Sequence, residues 1–123
     1  MRVLLHGTTR YRAERLMTFE PDPDFVEPGG GPRAEGFSTY LESGPFPFGT
    51  PEEYACRKAL LFPNEGGAVI LRIEVPDAII ALATDLYLPL TQGVVQFDEG
   101  MGLEALQQVW PTLPKNLEVI RCP

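Results

Sequence analysis

One histidine, His6, and two cysteines, Cys56 and Cys122, are the only imidazole and thiol ligands among 123 residues. A structural zinc site needs about four such groups, so His/Cys zinc chemistry is excluded and no metal is expected. The cysteines form no CxxC pair and read as reduced thiols of a cytoplasmic protein or, at most, as one bridge. Basic residues are also few, 10 Lys+Arg against 17 Asp+Glu, for a net charge of −7. That balance leaves no phosphate-binding footprint, which disfavours a nucleic-acid partner. The islands Arg10-Tyr11-Arg12 and Arg57-Lys58 read as solvated helix faces. No apolar run approaches a membrane span, and no signal-peptide core follows Met1-Arg2, so the expected location is cytoplasmic, away from the membrane.

Several catalytic motifs are missing as well. No GxGxxG follows a strand, and Gly29 to Gly31 lack the Lys-Ser/Thr ending of a phosphate loop. A hydrolase would have to pair His6 with Ser38 or Cys56. No GxSxG elbow supports Ser38, and Cys56 falls inside a helical pattern as a small core residue does. Glu20, Asp22 and Asp24 have a faint calcium-loop spacing without that loop's glycine and later glutamate.

What is present is a 44% hydrophobic chain of single-domain size, residues 1–123. Val3 to His6 read as a short buried strand, after which Thr8 or Thr9 caps a helix to about Met17, with Ala13, Leu16 and Met17 inward. The stretch from Glu20 to Arg33, rich in Pro and Gly, reads as a long loop able to reach a cleft. "GFSTYLE" alternates as a strand, with Phe37, Thr39 and Leu41 on one side and Ser38, Tyr40 and Glu42 on the other. Thr50 and "PEE" open a second helix through a capping box with Glu53. Gly66-Gly67 turns the chain into the strand "AVILRIEV", followed by an extended "AIIALATDLYL". "GVVQF" is a further strand, "GLEALQQVW" a helix and "LEVIRC" a closing strand. Strands segregated this way predict an α+β fold, a mixed or antiparallel sheet flanked by short helices.

The ordered series "LLHGTT", "GFSTYLES", "PEEYACRKAL" and "GGAVILRIEVPD" resembles the ADP-ribosyltransferase superfamily, in its poly(ADP-ribose)-polymerase-like branch, over almost the whole chain. The resemblance implies a domain that binds NAD⁺ as substrate, cleaves its nicotinamide–ribose bond and passes ADP-ribose to a protein acceptor or water. It implies that His6 bonds a ribose hydroxyl and that the Gly7 main chain holds the nicotinamide carboxamide beside Thr8. It also implies that Tyr40 stacks on the nicotinamide, with Ser38 next to the carboxamide, and that the His6 and Tyr40 rings border one cleft. In the Gly-x-Tyr motif of that branch, Ser38 rather than Tyr40 stands two residues after Gly36. Gln92 occupies the position of the branch's catalytic glutamate, and Glu99 serves instead if the strand is shifted. Taken alone, His6 is either a satisfied strand-end histidine or a ligand group, Tyr40 either packing or a stacking surface, and Gln92 either a turn residue or a catalytic stand-in. The alternatives are an inactive nucleotide- or protein-binding module on the same scaffold, or a structural adaptor with His6 in its core.

Overall fold

A computed structural model describes residues 1–21, 36–43, 50–59, 66–83, 94–98 and 101–119. Five strands form one sheet in the order β4-β2-β1-β3-β5: β1 (Arg2–Thr9), β2 (Gly36–Leu41), β3 (Ala68–Val75), β4 (Val94–Asp98) and β5 (Lys115–Val119). Every neighbouring pair is antiparallel. Among the described residues four helices accompany them: α1 (Arg10–Thr18), α2 (Pro51–Ala59), α3 (Asp77–Ile80) and α4 (Met101–Val109). The expected α+β class is therefore present, with an antiparallel sheet.

Alternation along the strands divides the core into two faces. Leu4, Phe37, Leu71, Ile73, Val95 and Phe97 point to one face, where Leu16 of α1 and Leu103 and Leu106 of α4 cover them. Leu5, Tyr40 and Ile70 point to the other, under Ala55 of α2. Trp110, in the 3-10 turn Trp110–Thr112, closes the first face: its Nε1–H donates to the Leu16 carbonyl at 2.8 Å and its ring meets Phe37 edge-on. Met17, expected inward, is exposed because the buried α1 positions are Arg12, Ala13 and Leu16.

The local start signals hold. Thr9, not Thr8, caps α1 by accepting from the Arg12 N–H, and the Thr50 hydroxyl accepts from the Glu53 N–H at 3.2 Å. Gly66 and Gly67 both have positive φ, which a side chain resists, and so turn the chain into β3. One element is corrected: after Pro76 the chain forms α3 rather than an extended segment. Pro76 supplies the carbonyl for the N–H groups of Ile79 and Ile80, which closes a helical turn. The remainder of "AIIALATDLYL", from 84 on, lies outside the described residues.

Arg72 ties the sheet together on the α2 face. It bonds Glu118 of β5 at 2.7 Å and Glu42 after β2, and lies 3.5 Å from Glu52 of α2. The Glu118 hydrogen bond is the main cause that raises its pKa above the ordinary value, against an opposing desolvation. Because the cluster is partly solvated, Arg72→Gln should cost on the order of 1 kcal/mol in urea unfolding. The deficit should shrink between about 0.05 and 1 M NaCl as screening grows. A deficit unchanged by salt would mean that packing of the arginine stem matters more than its charge.

Candidate functional site

The site builds from a break in the sheet. The β1–β2 ladder contains only Leu4–Leu41 and Leu5–Tyr40 among the described residues. On one side of that pairing the Glu42 N–H donates to the Val3 carbonyl at 3.1 Å, so Val3 and Leu5 turn their main-chain groups toward β2. Antiparallel alternation gives Gly7 the same direction and makes Ser38 its opposite number. That pair is not formed. The Ser38 carbonyl instead accepts a 2.7 Å hydrogen bond from His6 Nδ1. A carbonyl can only accept, which fixes the hydrogen on Nδ1.

Each neighbour of the split has a local cause. His6 is wholly buried, and its ring stacks on Phe37 at 4.1 Å. Gly7 has no space for a side chain, since a Cβ there would lie 1.8 Å from the Ala55 carbonyl oxygen of α2. Thr8 shares the His6 face; its buried hydroxyl has no hydrogen-bond partner among the described residues. Ser38 faces the α2 side with Gln96, its cross-strand neighbour on β4, and donates to the Gln96 amide oxygen at 3.4 Å.

The structure therefore brings His6, Gly7 and Ser38 together and separates Tyr40 from His6. The expectation that both rings border one cleft, on which the architectural side of the resemblance rests, is corrected. Tyr40 packs with Leu5, Ala55 and Ile70 on the α2 face, while His6 lies against Phe37 on the opposite face. The reason is parity: His6 follows Leu5, the residue paired with Tyr40, by one position along β1, which reverses the face. Ser38, not Tyr40, stands at the split. Gln92, Glu99, Asp22, Asp24 and all but the first two residues of the expected loop from Glu20 to Arg33 lie outside the described residues. Gln96 is not among the residues the resemblance singles out; its signal in the sequence is a polar residue between Val95 and Phe97, matching Ser38 between Phe37 and Thr39 across the strands.

Other features lie apart from the split. A cavity of about 330 Å³ is lined by Arg15, Phe19, Glu20, Pro21 and Gln107, at the far end of α1, and shares no residue with it. Among the described residues no group of three His, Cys, Asp or Glu side chains could hold a metal ion. Likewise, no helix among them is long and apolar enough to cross a membrane. Cys56 is disulfide-bonded, which removes the reduced-thiol reading and with it the cysteine argument for a cytoplasmic location. Cys122 lies outside the described residues.

No family model, curated protein or solved structure matches this chain.

Proposed function

We propose that this is an ADP-ribosyltransferase-like protein that binds NAD⁺ by its nicotinamide end at the β1–β2 split. The single observation that carries the reading is the interrupted ladder at Gly7 and Ser38. A strand edge with one N–H and one C=O side by side is complementary to a primary carboxamide, which offers one acceptor and two donors. Gly7 has no side chain at that edge and is buried there against the Ala55 main chain of α2. Ser38 and Gln96 add a hydroxyl and an amide beside it.

In this reading the C1′–nitrogen bond of NAD⁺ breaks, and nicotinamide leaves as a neutral molecule with the bonding electrons. The cationic ribose is then captured by a nucleophile of a protein acceptor or by water, which gives up its proton. Orientation and local electrostatics are the protein's contribution, since the leaving group is already activated by its positive charge. Tyr40 keeps a place in this scheme only on the α2 face. A second reading, a nucleotide-binding module without turnover, is favoured by the neutral Gln92 at the position the resemblance gives to the glutamate and by the complete burial of His6.

Calorimetry with nicotinamide and NAD⁺, followed by an assay of nicotinamide release, separates the readings. Both ligands are expected to bind, and release by the wild type is expected to be slow. Gln92→Glu should then raise the rate by about 100-fold, since a carboxylate stabilises the developing cation better by a few kcal/mol. If Glu99→Gln abolishes a fast wild-type reaction, the strand is shifted and Glu99 carries the charge. Binding without release from any variant selects the second reading. No binding up to about millimolar ligand, a free energy near −4 kcal/mol, would rule out both.

A further inference from the structure

We propose that His6 is a positioning residue: by taking the Ser38 carbonyl it holds β1 and β2 apart and leaves the Gly7 main chain to the ligand. The inference rests on the carboxamide site proposed above and assigns the residue that creates it. Left to themselves, two antiparallel strands continue their ladder, because each unpaired buried carbonyl or N–H is costly. Here the next bond after Leu5–Tyr40 would run from the Gly7 N–H to the Ser38 carbonyl. The imidazole replaces that donor at 2.7 Å, so the carbonyl is satisfied while the strands stay separate.

Two contacts make the substitution rigid. The His6 ring lies nearly parallel to Phe37, with 25° between their planes, and Phe37 is itself held edge-on by the buried Trp110. The ring cannot swing away without opening that face of the core. On the other face the α2 main chain at Ala55 presses against Gly7, so β1 is fixed from both sides. A phenylalanine could fill the same space as His6 but could not hold the carbonyl.

Nuclear magnetic resonance of the labelled wild type tests the clamp without any ligand. The expected pattern is a His6 ring protonated at Nδ1, with a through-hydrogen-bond coupling between Leu5 and Tyr40 and none between Gly7 and Ser38. A Gly7–Ser38 coupling, or a ring carrying its hydrogen on Nε2 alone, would overturn the proposal. In His6→Phe the Gly7–Ser38 coupling should appear and affinity for nicotinamide should fall by about tenfold or more, the equivalent of one lost hydrogen-bonded contact. His6→Asn, whose amide can donate from near the Nδ1 position, should keep the split and bind within about threefold of the wild type. Undiminished binding by a folded His6→Phe would sink the clamp; if that variant does not fold, the wild-type couplings decide. A wild type with the expected couplings that binds no nicotinamide would overturn the proposed ligand and leave the clamp supported.

Discussion

Gly7→Ala is expected to destabilise the protein by about 3 kcal/mol or more, at the upper end of what overpacking usually costs. The added methyl would sit 1.8 Å from the Ala55 carbonyl oxygen and 2.6 Å from its Cα. Both atoms are main chain, so no rotamer change can relieve the overlap. Either α2 lifts from the sheet, exposing Leu5, Tyr40 and Ile70, or β1 moves and the strand pairing on both sides suffers. Urea unfolding followed by circular dichroism measures the cost. The control is Gly7→Ala combined with Ala55→Gly, which removes a side chain that is not the obstacle and should rescue nothing. A Gly7→Ala protein melting within a degree or two of the wild type would show that α2 does not press on Gly7.

Trp110→Ala should cost about 3–5 kcal/mol, the usual range for emptying a large buried aromatic site. The indole is 1% exposed, packs edge-on against Phe37, and donates from Nε1 to the Leu16 carbonyl. It also carries the Lys115 ammonium over its face at 4.8 Å. Trp110→Phe should lose less, about 1–3 kcal/mol, because it keeps part of the volume and leaves one buried carbonyl without its donor. The ordering of the two variants is the test: equal losses would assign the whole effect to the hydrogen bond. Since Trp110 is the chain's only tryptophan, unfolding of both must be followed by far-ultraviolet circular dichroism.

Much of the architecture was legible because its signals are local. "AVILRIEV" is too long and β-branched an apolar run to be anything but a buried strand, and it is β3. "TPEE" announces the start of α2 through a cap that needs no distant partner. Pro76 misled in the same local sense. A proline reads as a break, but it also fits the start of a short helix, and four residues of "DAII" are too few to show a period. The site was legible only in part. His6 and Gly7 are adjacent, so their shared strand could be seen, although it runs on to Thr9 instead of ending at His6, and so could the alternation of Ser38 with Tyr40. Which of those two stands opposite Gly7 depends on the β1–β2 register, a non-local quantity that the spacing within either strand does not contain. The same register decides that His6 and Tyr40 turn away from each other.

The strand order has a further consequence, for how the molecule is made. β1 is the middle strand of the sheet, yet it precedes both of its neighbours, which come at Gly36–Leu41 and Ala68–Val75. During synthesis Leu4 and Leu5 emerge long before either flank exists, and the sequence separations that must be bridged to pair them are long. β5, which pairs with β3, arrives last of the strands described. A nascent chain stalled before Val75 would therefore present the apolar centre of an unfinished sheet, the kind of surface that chaperones bind and that aggregates nucleate on.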